Sequence, residues 1–368
     1  MTAPTLGVEE EYLLVDPIGG RPVAASETVR GRSGTPLHAE LLQAQVEAIT
    51  PVCSSLDELA GHLRLLRASA AAAAAEAGCG IIACGTAPVT PTGPPPVTGT
   101  ARYRQIQADA PQLVEEQLIN GMHVHIGVPD RAAAVGVLNH LRPWLPMLVA
   151  LGANSPVWQG HDTGFDSWRT IISSRWPTTG IPPSFSDDLD YDTRLDALCR
   201  NQVIRDRAQV YWLARPSERW PTIEVRAPDV QPTVDDAVAL AGIIRALVTT
   251  LLQAHREKIP APEPPPELLS GALWRSARHG LGGSLDEATG RLRPARAVLD
   301  DLLTAIAPAL AAGGDEHRVH AYARRLLQHG NPAQHQRRIL HAGGTAALTS
   351  ALLQQFPSSR CPGPDSTP

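Results

Sequence analysis

The stretch "GMHVHIGVPD", residues 121–130, places two histidines two positions apart within an apolar run. Alternate side chains of an extended strand point to the same face, so His123 and His125 share one face while Val124 and Ile126 share the other. Two imidazoles on a common face are either satisfied inside the structure or bind a ligand. Other segments with the same spacing of polar residues favour the second interpretation, in which the histidines bind a ligand.

Two other segments repeat this spacing. Glu9 and Glu11 alternate in "GVEEEY", and Glu224 and Arg226 alternate in "TIEVRAP". One such charged pair usually indicates a solvated strand face, but three together predict a sheet with one packed face and one polar face. Glu47, in "QVEAIT", is a candidate for the same polar surface.

Carboxylates combined with one or two neutral imidazoles suit Mg²⁺ or Mn²⁺ better than zinc, which is usually held by more nitrogen or sulfur. Arg226 would repel a bare metal site, so its presence predicts an anion such as phosphate or carboxylate. The combination indicates metal-assisted phosphoryl transfer. A zinc hydrolase of the amidohydrolase type is an alternative, although the HxH motif comes late in the chain and no regular βα repeat follows it.

The composition excludes several classes of protein. A net charge of −5 without a basic run does not suggest a nucleic-acid-binding protein. Lys258 is the single lysine, and no GxxxxGK or GxSxG motif occurs, which argues against a P-loop NTPase and a serine hydrolase. The five cysteines show no CxxC spacing, and we find neither a signal peptide nor an apolar run of about 18 residues. We therefore expect a cytoplasmic protein without a membrane span.

The hydrophobic periodicity predicts strands and helices that alternate irregularly, which indicates an α+β or mixed α/β class. Strands are predicted over residues 6–15, 41–50, 79–85, 121–127 and 221–230. Helices are predicted over residues 54–78, 102–119, 131–154 with a kink near Pro143 and Pro146, 233–257, and several further segments to about residue 355. The long segment 155–186, rich in Gly, Pro, Trp and Arg, is expected to be an ordered loop that lines a site.

Several collinear motifs resemble the type 2 glutamate–cysteine ligase family, the bacterial carboxylate–amine ligases. They are "LGVEEEYLLVDP", "ELLQAQVEAITPVC", "RYRQI", "GMHVHIGV", "NSPVWQGHDTGFDSWR", "PTTGIPP" and "TIEVRAPDVQPT". The resemblance runs from about residue 5 to residue 350. It implies a glutamine synthetase-like α+β fold, in which an antiparallel sheet flanked by helices forms a funnel-shaped active site. It also implies a single catalytic domain over residues 1–356, followed by a disordered tail at 357–368.

The same resemblance implies an enzyme that uses ATP and Mg²⁺ (or Mn²⁺) to activate a carboxylic acid as an acyl phosphate and to couple it to an amine. Glutamate and cysteine are the default substrates. The implied metal ligands are Glu9, Glu11, Glu47, His123 and Glu224. The implied contacts to the nucleotide are His123, His125 and Arg226. Glu224 and Arg226 are the implied catalytic residues, and Arg102 and Arg169 are the implied substrate contacts.

Two alternatives remain open at this level. One is a metal-dependent amide hydrolase on the same fold, and the other is a nucleotide-binding homologue that has lost turnover. The expected partners are a small-molecule acid and amine, without nucleic acid or membrane, and a homo-oligomer is compatible with the sequence. Met122, Arg175 and Trp176 depart from the family pattern or lie in its variable part, so we expect them to affect the pocket and its specificity for the acid.

Overall fold

The structure, a computed structural model, describes residues 3–286 and 291–356. The tail at 357–368, which the sequence predicts to be disordered, lies outside the described residues. The strands are, in chain order, β1 (Leu6–Val15), β2 (His38–Ala39), β3 (Gln45–Ile49), β4 (Gly80–Ile82), β5 (Met122–Gly127), β6 (Val157–Trp158), β7 (His161–Asp162), β8 (Thr179–Gly180), β9 (Tyr211–Trp212), β10 (Ala214–Pro216), β11 (Thr222–Val225), β12 (Ser284–Asp286) and β13 (Leu292–Pro294).

Helices cover most of the remaining chain. The α-helices are α1 (Ser26–Arg32), α2 (Leu56–Glu76), α3 (Ala101–Asp109), α4 (Pro111–Glu115), α5 (Arg131–Leu141), α6 (Leu145–Leu151), α7 (Trp168–Ser173), α8 (Asp188–Arg200), α9 (Val234–Arg256), α10 (Pro266–His279), α11 (Ala295–Gly313), α12 (Glu316–His329) and α13 (Pro332–Gln355). Short 3₁₀ helices occupy Arg142–Trp144 and Arg207–Gln209. The break between α5 and α6 confirms the kink predicted near Pro143 and Pro146.

The central sheet has the strand order β10-β11-β5-β1-β3-β2, and β4 pairs with the far end of β1. Every pairing in this sheet is antiparallel. The predicted α+β class with an antiparallel sheet is therefore confirmed. The strand register brings the polar pairs together, because Glu9 lies opposite His123 and Glu11 lies opposite Glu47. Glu224 lies opposite His125 on the next strand.

The other face of the sheet packs on helices. Val8, Val124 and Ile223 are fully buried there and share one core cluster with residues of α2, α5 and α9. Within the described residues, α9 is the one helix that is long and apolar enough to cross a membrane, and 78% of its apolar window is buried inside the protein. Its burial identifies α9 as the central core helix.

Glu10 is the exception on this apolar face, and a buried cation neutralises it. Arg67 of α2 donates to both carboxylate oxygens of Glu10, and the Tyr12 hydroxyl donates to Glu10 at 2.6 Å. The Arg67 guanidinium also donates to the carbonyl oxygens of Gln231 and Pro232 at 2.8 and 3.0 Å. Glu10 and Arg67 are almost completely buried, so this network joins β1, α2 and the segment before α9.

Two of the regions predicted to be helical differ from the structure in detail. The helix predicted over 102–119 is two helices, α3 and α4, because Pro111 interrupts the hydrogen-bonded ladder and begins the second helix. The C-terminal half, predicted to be helical, also contains the antiparallel strand pair β12–β13. The predicted helix at 54–78 is confirmed as α2, with the Ser55 hydroxyl accepting a hydrogen bond from the Glu58 amide at 3.1 Å.

We predict that Arg67→Met lowers the free energy of unfolding by about 3–5 kcal/mol, because it leaves the Glu10 carboxylate buried without a counter-charge. Urea denaturation followed by circular dichroism measures this change. The matched control is Arg64→Met on the same helix, since the Arg64–Asp235 pair is about half exposed and should cost less than about 1 kcal/mol. Equal effects of the two substitutions on the free energy of unfolding would contradict the role of Arg67 as the counter-charge of Glu10.

Candidate active site

The polar face of the sheet collects the acidic and imidazole side chains that the sequence singles out. Strand alternation in β1 leaves Glu9 and Glu11 partly exposed on this face, between buried neighbours. Glu47 reaches it from β3 and is also half-buried. The amide of Gly121 donates to Glu11 at 2.5 Å, which fixes one carboxylate oxygen. Residues distant in sequence thus form one surface, as the spacing predicts.

The two histidines of β5 are held from their Nδ1 side. His123 Nδ1 lies 3.0 Å from Glu9 Oε2, and His125 Nδ1 lies 2.9 Å from the Thr222 hydroxyl. Burial and the nearby Arg226 lower the pKa of His123, so its ring is neutral at pH 7. Burial alone would raise the pKa of Glu9, but its contacts with His123 and His125 hold that pKa well below its usual range.

Glu224 lies between two arginines. Arg215 of β10 contacts both of its carboxylate oxygens, at 2.8 and 3.3 Å, and Arg226 donates to one of them. Burial would raise the pKa of Glu224, yet Arg226 and Arg215 hold that pKa well below its usual range. Glu224 is therefore a buried anion, and it fixes the Arg226 guanidinium on the polar face.

A cluster of three carboxylates lies on the β1–β3–β2 side of this face, away from Glu224. One carboxylate oxygen from each of Glu11, Glu40 and Glu47 lies within 4.8 Å of the others. Burial and the charge of Glu11 raise the pKa of Glu40 to about 8. Burial, followed by the charges of Glu40 and Glu9, raises the pKa of Glu47 well above its usual range. The cluster therefore retains protons near neutral pH unless a cation neutralises it.

Divalent cations fit this face. Nε2 of His123 and of His125 is buried without a hydrogen-bond partner in the described part of the chain. These atoms lie 3.5 Å from Glu11 Oε1 and 3.3 Å from Glu9 Oε1. An imidazole lone pair facing a carboxylate is repulsive, and a cation between them removes the repulsion. Besides the carboxylate cluster, two further groups on this face have converging ligand atoms, namely Glu9–Glu47–His123 and Glu9–His125–Glu224.

A cavity of about 290 Å³ opens beside the carboxylate cluster. Its wall contains charged and aromatic side chains from six parts of the chain, namely Glu11, Glu40, Arg102, Tyr103, Arg169, Trp176, Tyr211 and Arg226. Trp176 Nε1 donates to Gln117 at 2.8 Å, and its ring meets the Tyr211 ring edge-on. Arg169, Ser173 and Trp176 of the segment 155–186 line this site, as the sequence predicts, but the segment contains helix α7 and three short strands and is therefore not wholly a loop.

A larger cavity of about 760 Å³ lies at the other end of the face, where Glu9 and His125 reach its wall. The remaining wall is mostly apolar and includes Ile49, Pro51, Val52, Trp220, Pro221 and Leu252. Trp220 is 60% exposed and Val52 is 74% exposed, so the rim of this cavity presents apolar surface to solvent. The polar face therefore connects two cavities of different chemistry.

Arg169 is set into the wall of the smaller cavity by a buried network. It donates to the carbonyl oxygens of Arg226 and Ala227 at 3.1 and 3.4 Å, and it lies 3.7 Å from the buried Asp229 carboxylate. A Cβ at Gly121 would overlap the Arg169 guanidinium. The glycine directly before β5 therefore leaves the space that the Arg169 guanidinium occupies.

The structure brings together most of the residues for which the sequence predicts a role. The polar face holds Glu9, Glu11, Glu47, His123, His125, Glu224 and Arg226. Arg169 lies in the wall of the smaller cavity, and Arg102 lies at its exposed mouth, paired with Asp206 at 2.8 Å. Their individual roles stay predictions.

Sequence reasoning missed Glu40 and Arg215. Glu40 follows the two-residue strand β2, which is too short to show an alternating pattern. Arg215 is directly opposite Glu224 in the β10–β11 pair, a relation that depends on the strand register. The hairpin-like spacing of "YWLARPSERWPTIEVR" could have indicated this pairing, although not its register.

Comparison with known proteins shows a family to which the sequence is similar. Residues 5–351 match the model of the family described as glutamate–cysteine ligase family 2. A relative from Nocardia farcinica that carries the name glutamate–cysteine ligase 2-1 is 44% identical over 357 residues, which cover 96% of this chain and 93% of the relative. A relative from Salinispora arenicola, named for the same ligase, is 43% identical and covers 98% of this chain and 96% of its own.

Two solved structures share the fold at low sequence identity. The glutamate–cysteine ligase from Francisella tularensis, crystallised in complex with AMP, superposes with a TM-score of 0.71 at 14% identity, covering 97% of this chain and 90% of that one. The bifunctional glutathione synthetase from Pasteurella multocida superposes with a TM-score of 0.70 at 15% identity, covering 97% of this chain and 52% of that one. These likenesses confirm the predicted fold.

We predict that Glu40→Gln stabilises the metal-free protein increasingly as the pH rises. The native pKa of about 8 exceeds the unfolded value of 4.5, so between these values the native state binds a proton that the unfolded state has released. The stability of the wild type therefore falls with pH relative to the variant, from about pH 4.5 to about pH 8.

Urea denaturation in EDTA across this range, for both proteins, measures the difference. Saturating Mn²⁺ should reverse it, because a bound cation favours the ionised glutamate. A difference that is independent of both pH and Mn²⁺ would contradict the assignment of Glu40 to a cation-binding cluster.

Proposed function

This chain belongs to glutamate–cysteine ligase family 2, and from that membership we propose how its polar sheet face serves as the active site of an ATP-dependent carboxylate–amine ligase. One observation carries the proposal: a carboxylate–histidine surface with an embedded arginine connects an apolar cavity to a polar one. A single catalytic domain over residues 1–356 is part of the proposal. Glutamate and cysteine are the first acid and amine to test.

The larger cavity is proposed to hold ATP. Its apolar rim, with Trp220 and Val52, suits the flat face of an adenine ring. Glu9 and His125 reach the wall of the same cavity, so a nucleotide bound there would direct its phosphates towards the polar face. Its volume is within the range of cavities that hold ligands of this size.

The smaller cavity is proposed to hold the carboxylic acid and the amine. Arg102 and Arg169 are the cations available for the substrate carboxylates, since a guanidinium binds a carboxylate through two parallel hydrogen bonds. The two guanidinium groups therefore favour a substrate that carries at least one carboxylate, such as an amino acid.

Mg²⁺ or Mn²⁺ is proposed at the three ligand groups of the polar face. The ligands would be the carboxylates of Glu9, Glu11, Glu40, Glu47 and Glu224, together with His123 and His125. Oxygen-rich ligand sets of this kind are those that hard divalent cations prefer. When bound, such cations neutralise phosphate charge and so make the γ-phosphorus more susceptible to attack.

The reaction then proceeds in two displacements. An oxygen of the acid attacks the γ-phosphorus, ADP leaves, and an acyl phosphate forms. The amine nitrogen attacks the acyl carbon, phosphate leaves, and the nitrogen loses a proton. Arg226, held by Glu224, is placed to stabilise the charge that develops on the transferring phosphoryl group. Glu224 is in turn oriented by Arg215, so the guanidinium of Arg226 is fixed before substrates bind.

The experiment that tests this function measures ADP release with each acid alone, each amine alone, and both together. A ligase releases ADP in proportion to the amide product only when both are present, and product mass identifies the amide. The Glu11→Gln variant should release none. Cleavage of an amide with water as the acceptor would support the hydrolase alternative, and nucleotide binding without turnover of any acid and amine pair would support the non-catalytic alternative.

We predict that Arg226→Lys lowers kcat by about 10²-fold, which corresponds to about 2.7 kcal/mol of transition-state stabilisation, with little change in the KM for ATP. A lysine keeps the charge but loses the planar fork that contacts both Glu224 and a phosphate oxygen. Steady-state phosphate release across ATP concentrations measures both constants. The matched control is Arg200→Lys, at the exposed end of α8. A change confined to the KM for ATP would show that Arg226 acts only in ground-state binding.

A further inference from the structure

A second cluster of metal-ligating side chains lies outside the polar face, where the chain passes from β3 into α2. Cys53 Sγ, a carboxylate oxygen of Glu58 and a ring nitrogen of His62 all lie within 4.8 Å of one another. Among the described residues, this is the one cluster of converging ligand atoms that contains a sulfur. It shares no residue with the site proposed for phosphoryl transfer.

The three side chains are held in place by the fold. Cys53 exchanges two backbone hydrogen bonds with Leu6, of 2.9 and 2.8 Å, which fix it beside the start of β1. Glu58 and His62 are one turn apart on α2 and therefore lie on the same helix face. The amide and hydroxyl of Ser54 donate to Glu58 Oε2 at 2.7 and 2.9 Å, which orients the carboxylate and leaves Oε1 available.

The identity of the ligands favours a metal different from that of the polar face. A thiolate, an imidazole and a single carboxylate are a typical set for Zn²⁺, whereas Mg²⁺ prefers oxygen alone. Zinc bonds of about 2.0–2.3 Å place tetrahedral ligand atoms roughly 3.3–3.8 Å apart. The donor atoms therefore need to converge by at most about 1.5 Å, which the exposed side chain of Glu58 and the partly exposed side chain of His62 allow.

We propose that Cys53, Glu58 and His62 form a zinc-binding site with one position left for water. Binding releases the proton of the Cys53 thiol to solvent, because the thiolate is the ligand. In the metal-free protein, burial and the charge of Glu58 raise the pKa of Cys53 to about 11, and the thiol donates to the Pro51 carbonyl oxygen at 3.3 Å. The negative charge of Glu58 disfavours the Cys53 thiolate, whereas a bound cation at this position would favour it.

The position of the site gives it a structural consequence. Thr50, Pro51 and Val52, immediately before Cys53, form part of the wall of the larger cavity. Zinc would therefore join the N-terminal turn of α2 to this wall. The start of α2 already contacts two other helices. Arg245 of α9 donates to the Ser54 carbonyl oxygen at 3.2 Å, and Arg318 of α12 pairs with Asp57 at 2.7 Å.

Cobalt substitution tests the site independently of activity, because Co²⁺ bound to a thiolate gives a sulfur-to-metal charge-transfer band. The reduced full-length protein is titrated with Co²⁺ and then with competing Zn²⁺. We expect the band in the wild type, in the control Cys199→Ser, and in Glu11→Gln, whose substitution is on the polar face. We expect no band in Cys53→Ser. His62→Gln, which changes a partly exposed side chain, should weaken Co²⁺ binding by more than about tenfold while the fold is retained.

Absence of the band in the folded wild type would overturn the proposal. Persistence of the band in Cys53→Ser, or an unchanged affinity in His62→Gln, would also overturn it, because the thiolate ligand would then belong to another cysteine or the histidine would not bind the metal. If Cys53→Ser does not fold, the comparison between wild type, His62→Gln and Cys199→Ser decides the outcome.

Discussion

Mutual repulsion among the carboxylates on one sheet face is the constraint on which the site depends. One carboxylate oxygen from each of Glu11, Glu40 and Glu47 lies within 4.8 Å of the others. Burial and, after it, the charges of neighbouring carboxylates raise the pKa of Glu40 and Glu47. At the other edge, Glu224 is kept ionised by two arginines. Such a face is electrostatically suited to a bound cation, and Arg226 at its centre is stable there because Glu224 pairs with it.

The opposite face supplies the rigidity that holds these charges close together. Val8, Val124 and Ile223 alternate with the polar residues and pack on the helices, so a shift of one residue in any strand would bury charges and expose the core. Glu10 and Arg67 add a fully buried ion pair between β1 and α2. The packing of α2, α5 and α9 against the apolar face therefore offsets the destabilising repulsion on the charged face.

Local patterns were sufficient to predict the parts of this site that lie on long strands. Glu9 and Glu11 alternate within a ten-residue strand, and the three polar pairs share one spacing, so their common face could be inferred before any pairing was known. Glu40 and Arg215 could not be found in this way, because Glu40 follows a strand of only two residues and Arg215 acquires its role from strand register. The two cavities are also non-local, since Trp176 and Trp220 enter their walls from loops without periodicity.

If the γ-phosphoryl group is transferred directly to the carboxylate of the acid, one oxygen atom of the acid must leave with the released phosphate. The most direct test uses glutamate labelled with ¹⁸O in the carboxylate that becomes the amide, with ATP, Mg²⁺ and the amine. Mass analysis of the released phosphate should then find one ¹⁸O atom in each phosphate, because the oxygen that attacked phosphorus leaves with it. Phosphate without the label, formed together with the amide, would contradict an acyl phosphate and with it the proposed role of the polar face.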